Sequence, residues 1–407
     1  MPTDNLNWHF LIVFYLFSYI STSGQITSSP YSIFGLGSTE GNIVGLNNAM
    51  GSAGIAVLSG QSLSLKNPAS TAGMDSLISV FELGFAGKYN SFTTSRQSQS
   101  LFDANFRYLA LAFRINRRWA VASGITPYST IGYNISVMTD IEGTDTKYKK
   151  TFSGDGGVNN AFLSNSIKIT KDLSLGLNIS YLFGTITHTE SSNDIKYALE
   201  NKVTVSNMDI DYGLNYRIKL INWNYFLGFV YNNGKTLTTN KIMTIVTSNS
   251  SESVKSSVNE LKLPKSFGFG FAFQKKFSRG ALDWETGRWG NIEFTDRLLS
   301  VRNSNRYSAG LEIPSWGNRK GTGRMIFYRI GAQYSESYMI INNYPINYRS
   351  ISLGAGIPAK GYLNVINLSM ELGQNGTKKG GLFEESFVVL HVDLSFKDLW
   401  FVKRKYM

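Results

Sequence analysis

Apolar and polar residues alternate with a period of two along most of this chain. From residue 173 to 183 every odd position is leucine, isoleucine, tyrosine or phenylalanine, and the even positions through Ser180 are small or polar. Residues 267–273 and 388–396 repeat the pattern. Successive side chains of a strand point to opposite faces, so each segment predicts a strand with one apolar face. Many such strands predict an all-β fold, a transmembrane antiparallel β-barrel.

Composition agrees with a barrel and excludes a helical membrane protein. The 407 residues are 42% hydrophobic, and after residue 20 no apolar run approaches the roughly 20 residues that a spanning helix needs. Aromatic residues at 14% and 39 glycines suit a barrel wall. A soluble β-sandwich or propeller could share this composition, but the predicted strands are long enough to include the roughly 9–11 residues that cross a bilayer.

The N-terminus predicts export. Residues 10–20 (FLIVFYLFSYI) form a short apolar core, and small residues up to Gly24 suit cleavage before Gln25. The preceding residues include Asp4 and no Lys or Arg, which departs from a secretory signal, and an N-terminal anchor is the alternative. The absence of cysteine excludes a lipoprotein anchor and disulfides. We therefore predict a signal peptide over residues 1–24 and a location in the bacterial outer membrane.

Connections between the predicted strands set the topology. We predict a barrel of about fourteen strands over residues 79–407, whose connections alternate between short and long. Short turns fall near residues 116–118, 171–172, 220–222, 277–280 and 359–361, with a longer one at 314–323. Long polar loops are predicted at 91–100, 140–160, 187–202, 248–260, 286–303 and 373–384, and 248–260 is expected to be mobile. Short turns face the periplasm in such barrels, so both termini are predicted to be periplasmic.

Residues 25–78 do not read as barrel wall. Six glycines between Gly35 and Gly54 would interrupt any strand, and Asn67-Pro68-Ala69 follows. A segment of this length could be an exposed arm outside the barrel. We favour a plug, or hatch, inside a lumen too wide for wall side chains to fill.

These features resemble a known family. The motifs are residues 31–37 (YSIFGLG) and Asn67-Pro68-Ala69, followed by about fourteen strands. They resemble the FadL/TodX family of outer-membrane transporters for hydrophobic compounds, in its divergent Bacteroidota-type branch. The resemblance implies a hatch that includes Asn67, Pro68 and Ala69, a ligand path from an external hydrophobic groove, and exit sideways through the wall into the bilayer.

A sideways exit requires a weak point in the wall. Pro127, in the predicted third strand, and Pro264, at the predicted start of the eighth, each lack the N–H that donates to a neighbouring strand. They are therefore our candidates for the weak point. The alternative is an ordinary edge or loop position, where proline is also found.

The net charge of +12 concentrates at predicted turns and loops. It could attract lipid phosphates, lipopolysaccharide or a partner protein, or could simply be solvated beside the bilayer. Nucleic-acid binding is not expected, because there is no basic helix or aromatic-basic platform.

Enzymatic chemistry is not predicted either. His391, Asp393 and Ser395 share the polar face of one strand, which makes them ladder neighbours rather than a converging triad. His188 is predicted in a loop without spaced metal partners, and no zinc site or other cofactor is expected. Residues 35–41 lack the Gly-Lys-Ser/Thr of a phosphate loop.

Two functions follow from the sequence. The first is passive uptake of a small hydrophobic compound, such as a long-chain fatty acid or hydrocarbon, with lateral exit into the bilayer. The second is a non-transporting barrel that docks other outer-membrane or periplasmic proteins in a secretion or barrel-assembly complex. A general porin is disfavoured by the plug and by the lack of a charged constriction.

Overall fold

The computed structural model describes residues 29–399, apart from residues 42, 61, 76–77, 96, 293–298, 316–324 and 360–364. The predicted signal peptide lies outside the described residues.

Fourteen antiparallel strands follow one another along the described chain. Three of them are interrupted once and so consist of two pieces. The strands are β1 Ile78–Thr93, β2 Ser98–Arg114, β3 Trp119–Asp140, β4 Lys147–Lys168, β5 Leu173–Ser192, β6 Tyr197–Leu220, β7 Trp223–Asn232 with Lys235–Thr247, β8 Ser251–Leu263 with Ser266–Lys275, β9 Ser278–Gly287, β10 Leu299–Val301 with Ser304–Pro314, β11 Phe327–Ile341, β12 Tyr344–Pro358, β13 Val365–Gly376 and β14 Glu384–Leu399.

Pairing between the first and last strands closes the sheet into a barrel. β14 pairs with β1 over its whole length, from Glu384 opposite Thr93 to Leu399 opposite Ile78. Closure removes the two outer edges of the sheet, and paired backbone groups are what a bilayer requires. No helix in the described part of the chain is long and apolar enough to cross a membrane.

The period-two alternation separates the two faces of the wall as predicted. Along β5, Leu175 and Tyr181 are each 42% exposed on the outer face, where a bilayer would cover them. Ser174, Asn178 and Ser180 are buried on the inner face. An apolar outer face and a polar inner face are the arrangement of an outer-membrane barrel.

The prediction of long external loops is wrong, because the strands continue through most of the residues that were assigned to these loops. β4 already begins at Lys147, inside the predicted loop 140–160. β7 and β8 form a hairpin whose turn is only residues 248–250, so most of the predicted mobile loop 248–260 is strand. Beyond the bilayer neither face of a strand needs to be apolar. The alternation of apolar and polar residues is therefore lost there, while the backbone pairing continues.

The described residues between 29 and 75, which we call the inner segment, lie inside the barrel. Three short 3-10 helices, Pro30–Ile33, Gly45–Met50 and Pro68–Gly73, and a two-residue strand, Ser38–Thr39, make up its regular structure. Pro68–Gly73 contacts β3 to β6, whereas Gly45–Met50 contacts β10 to β14 on the other side of the barrel. One chain segment can touch both groups of strands only from within the lumen.

Candidate functional site

The wall is open between β2 and β3 over part of its height. Among the described residues, pairing between these strands runs only from Arg114 opposite Ala120 to Leu109 opposite Ile125. β2 nevertheless continues to Ser98, paired with β1, and β3 continues to Asp140, paired with β4. Residues 98–108 and 126–140 therefore border an opening, which we call the wall gap.

The inner segment covers part of the wall gap. It pairs with the free edge of β3 between residues 128 and 132. The contacts are Ser38 opposite Thr130, Thr39 opposite Ser129, the Glu40 N–H donating to the Tyr128 carbonyl at 2.8 Å, and the Ser29 N–H donating to the Gly132 carbonyl at 2.7 Å. The β3 edge is thus bound to the inner segment where it is not bound to β2.

Glu40 contacts both sides of the wall gap. Its backbone N–H binds Tyr128 of β3, while its carboxylate forms an ion pair with Arg107 of β2. Burial raises the pKa of Glu40, but the charge and hydrogen bond of Arg107 outweigh burial and hold that pKa below its ordinary value. Glu40 is therefore a charged bridge across the gap.

Glycines on the inner face of the wall let the inner segment pack against the strands. A Cβ added at any of seven of them would come within 2.7 Å of an inner-segment atom. Real Cβ atoms do not approach other atoms so closely, so only glycine fits at these positions with the segment in place. We call them the glycine collar: Gly176, Gly213, Gly228, Gly270, Gly310, Gly331 and Gly354.

Polar side chains of the wall bind the backbone of the inner segment. The Asp283 carboxylate of β9 accepts from the N–H groups of Gly54, at 2.7 Å, and Ile55, at 3.0 Å. Further wall acceptors are Glu82 for the Leu63 N–H, Ser352 for the Gly51 N–H and Tyr108 for the Gly45 N–H, each at 2.9 Å. Buried N–H groups need such partners, so these bonds fix the segment in one position.

A cavity of about 530 Å³, lined by both polar and apolar side chains, lies between the inner segment and the wall. Several of its lining residues are charged and paired: Lys88 with Glu385 at 2.8 Å, Arg306 with Glu285 at 4.0 Å, and Arg107 with Glu40. We call it the lumen cavity.

A second cavity, of about 440 Å³, is mostly apolar. Its lining includes Ile33 and Phe34 of the inner segment and, from the wall, Tyr133, Phe152, Ile186, Val203 and Leu261. It adjoins a buried apolar cluster that contains Leu36 and Ile131. We call it the apolar cleft. Tyr133 belongs to β3, so the cleft and the wall gap share that strand and the inner segment.

The predicted motif Asn67-Pro68-Ala69 lies at the glycine collar. Asn67 accepts from the Ala69 N–H at 2.9 Å and so caps the helix Pro68–Gly73. Its amide also donates to the carbonyls of Ile55, at 2.8 Å, and Leu214 of β6, at 2.9 Å. The motif therefore joins two parts of the inner segment to the wall.

The two predicted weak points lie at different sites. Pro127 is two residues beyond the last β2–β3 pair, at a bulge in β3 that lies between Pro127 and Ser129. Pro264 lies in the interruption of β8, between Leu263 and Ser266, rather than at the start of the strand. Only Pro127 borders the wall gap. Glu40 and Arg107, which bridge the gap, had no recognisable sequence signal.

The two histidines of the described residues, His188 and His391, face the barrel interior and have separate partners. His188 lies in β5, not in a loop as predicted, and its Nδ1 is 2.7 Å from the Tyr133 hydroxyl. His391 Nε2 is 4.0 Å from a Glu371 oxygen. Asp393 accepts from the Asn48 amide at 3.1 Å, and the Ser395 hydroxyl donates to Glu82 at 2.7 Å. In the described residues, no group of three or more His, Cys, Asp or Glu side chains could hold a metal ion.

The family model named BamG matches residues 7–407. The chain belongs to the BamG family. No curated protein matches it in sequence.

Solved structures share the fold of this BamG-family barrel. The CymD monoaromatic hydrocarbon channel has a TM-score of 0.59 and 16% identity, covering 90% of this chain and 99% of CymD. The Ralstonia pickettii toluene transporter TbuX has a TM-score of 0.61 and 14% identity, covering 88% and 98%. The P. putida toluene transporter TodX has a TM-score of 0.61 and 15% identity, covering 89% and 99%. The BamG-family chain therefore shares the barrel fold of these three channels.

Proposed function

We propose that this barrel takes up small hydrophobic compounds, such as long-chain fatty acids or hydrocarbons, and releases them sideways into the outer membrane. The wall gap is the observation on which the proposal depends, because it is an interruption of the wall beside Pro127. The names of CymD, TbuX and TodX, which describe hydrocarbon channels and toluene transporters, support the same class of cargo.

The proposed path is short. A hydrophobic compound enters the apolar cleft, where each buried CH₂ contributes roughly 0.8 kcal/mol, and passes along β3 to the wall gap. Tyr133 lines the cleft, and the gap edge begins a few residues earlier on the same strand. Glu40, Arg107 and Thr130 at the gap also line the lumen cavity, so the path touches one side of that cavity but does not cross the glycine collar.

The inner segment would act as the gate on this path. Ser38 and Thr39 occupy the β3 edge, and Glu40 bridges to Arg107 of β2. Passage through the wall gap requires these contacts to separate. The proposal thus assigns Glu40 and Arg107 to the closed state of the gate.

A disulfide across the gate tests this function. Ser38 and Thr130 are directly opposite, and opposed residues of antiparallel strands have Cα atoms roughly 4.5–5.5 Å apart, within disulfide range. The chain has no cysteine, so Ser38→Cys with Thr130→Cys forms a defined pair. Uptake of a radiolabelled long-chain fatty acid by cells producing this variant should stop on oxidation and return on reduction.

The matched control places the disulfide away from the gate. Thr244 and Ser253 face each other in the β7–β8 hairpin, so Thr244→Cys with Ser253→Cys should cross-link without any effect on uptake. Unchanged uptake with Ser38 and Thr130 fully cross-linked would reject the gate.

A second function is compatible with the BamG family match, and the charged pairs that line the lumen cavity agree with it. In this function the barrel transports nothing and docks proteins in an outer-membrane secretion or barrel-assembly complex. Native mass spectrometry on protein extracted gently from its own membrane separates the two. A bound hydrophobe on a lone barrel supports uptake, whereas a stoichiometric protein partner without a small ligand supports docking.

A further inference from the structure

Arg107 is held at the gate by one carboxylate. Among the described residues, its guanidinium makes a single hydrogen bond, to Glu40, although a guanidinium carries several N–H donors. Both side chains line the lumen cavity, and 22% of the Arg107 side chain and 20% of the Glu40 side chain are exposed. A small molecule in the cavity can therefore reach Arg107 and compete with Glu40 for it.

The charges around Arg107 favour exchange of carboxylates over addition of a second one. Glu371 and Asp393 lie close enough to Arg107 to interact with its charge. Lys88 interacts with Glu40 but is already paired with another carboxylate at 2.8 Å. One more negative charge in this partly desolvated cavity would be repelled, whereas replacing Glu40 by another carboxylate keeps the local charge constant. A carboxylate ligand can therefore bind Arg107 in place of Glu40 but not beside it.

The edge of β2 at the wall gap is charged on the inside and apolar on the outside. Arg107 lines the lumen cavity, whereas Phe106 and Phe102 lie on the outer face and are 51% and 67% exposed. The Phe106 ring packs against Phe85 of β1, with the ring centroids 5.6 Å apart. A ligand with its charged end on Arg107 would have an apolar chain that crosses the gap over these rings towards the bilayer. The edge therefore fits an amphipathic molecule.

We infer that the compound passing the wall gap is a long-chain carboxylate, whose head group opens the gate by replacing Glu40 on Arg107. The inference rests on the proposed function and selects fatty acids over hydrocarbons as the cargo. Glu40 belongs to the same chain and is always near Arg107, so burial of the ligand's apolar chain must offset that advantage. A free carboxylate can also turn to accept two N–H bonds from the guanidinium.

Exchange on Arg107 would make opening depend on the head group. A ligand shifts an equilibrium only towards the state that it binds more tightly. Arg107 is occupied by Glu40 in the closed state and becomes free when residues 38–40 move away. A carboxylate therefore gains the contact with Arg107 only in the open state, whereas an ester or a hydrocarbon of the same length gains no such contact in either state.

Binding of tritiated palmitate to the full-length protein in detergent, measured by scintillation proximity, tests the exchange. Palmitate should bind at least roughly tenfold more tightly than methyl palmitate, which is measured by competition. Arg107→Gln should weaken palmitate binding by a similar factor and abolish the preference for the acid. Glu40→Gln should strengthen palmitate binding, because the competing carboxylate is gone.

The matched control is an ion pair away from the gap. Arg217 and Asp172 are 2.9 Å apart where β5 begins. Arg217→Gln and Asp172→Asn make the same two charge changes and should leave palmitate binding unchanged.

Movement of the gate gives a second readout. In the variant with Ser38→Cys and Thr130→Cys, these opposed residues must meet for a disulfide to form. Palmitate should slow oxidation of this pair several-fold, because it moves residues 38–40 away from β3, whereas methyl palmitate should not.

Two results would overturn the inference while leaving uptake in place: equal binding of palmitate and methyl palmitate, or a change of palmitate binding in the same direction in Arg107→Gln and Glu40→Gln. The second result would mean that the ion pair only supports the fold. Binding of neither compound would reject the proposed function, and this inference with it. If a variant does not fold, the comparison of the two ligands on the unmodified protein still decides.

Discussion

Adding one methyl group to the glycine collar should displace the inner segment from the wall. Gly331 of β11 is directly opposite Gly310 of β10, and a Cβ at Gly331 would lie 2.0 Å from the Gly51 nitrogen and 2.1 Å from the Met50 carbonyl carbon. Favourable contacts between such atoms need about 3.5 Å, so the segment must move by about 1.5 Å. The backbone of Gly331 itself is not in the left-handed region, so the effect of Gly331→Ala is steric.

The cost follows from two contributions. Overpacking a rigid interior costs about 1–3 kcal/mol. The movement also stretches the bond from the Gly51 N–H to Ser352, now 2.9 Å, and such a bond contributes about 1 kcal/mol. We therefore expect Gly331→Ala to destabilise the closed barrel by about 2–4 kcal/mol, or to release the inner segment from its place with the wall intact.

The assay combines thermal unfolding in detergent with the sensitivity of producing cells to a hydrophilic antibiotic. Gly331→Ala should lower the unfolding temperature, raise antibiotic sensitivity, or do both. The matched control is Gly87→Ala in β1, where the nearest atom, on the Phe102 ring, is 3.4 Å from the added Cβ. If the two variants behave alike in both assays, the inner segment does not depend on the collar.

Three other perturbations test the inner segment, the strand faces and the gate. Asn67→Ala should destabilise by about 2–3 kcal/mol in denaturant titration, because two buried carbonyls lose their donor. Leu177→Arg should lower the free energy of unfolding by about 2–4 kcal/mol if residue 177 is at the bilayer midplane, whereas Ser180→Ala should lower it far less. The reverse order would mean that the outer and inner faces of the strand are assigned the wrong way round. Because the pKa of Glu40 is lowered, its pairing with Arg107 stabilises the folded protein fully at pH values above the ordinary carboxyl pKa. This stabilisation is lost as the pH falls through the lowered pKa. The unfolding temperature of the unmodified protein should therefore exceed that of Glu40→Gln at neutral pH, and this difference should vanish in acid; a difference that persists would contradict the pairing.

The sequence predicted the wall well because the bilayer imposes a rule on every strand. Lipid on one side and a polar interior on the other force alternation, so Leu175 and Ser174 already indicate their faces. Where that rule ends, the prediction fails: residues 251–260 are mostly polar in sequence and were predicted as part of the loop 248–260, yet they form a strand. His188 was misplaced for the same reason.

The gate could not be read from the sequence because its contacts are not local. Glu40 and Arg107 are 67 residues apart, and neither lies in a recognisable motif. Alternation also says nothing about where two strands stop pairing, so the end of the β2–β3 ladder at Leu109 and Ile125 is visible only in the structure. Pro127 gave a partial signal, since a missing N–H indicates a weak point without showing which neighbour is lost.

The positions of the gap and the collar limit how this barrel could work. Seven collar glycines and the acceptors Glu82, Asp283 and Ser352 hold the inner segment tightly, so opening a vertical channel would break many contacts at once. Opening the wall gap breaks far fewer: two residue pairs, a few hydrogen bonds and one ion pair. A hydrophobic compound also gains nothing by crossing a charged lumen when the bilayer lies beside the gap. In the proposed function, movement of residues 38–40 would therefore open the wall gap to the membrane, while the collar contacts hold the rest of the inner segment in place.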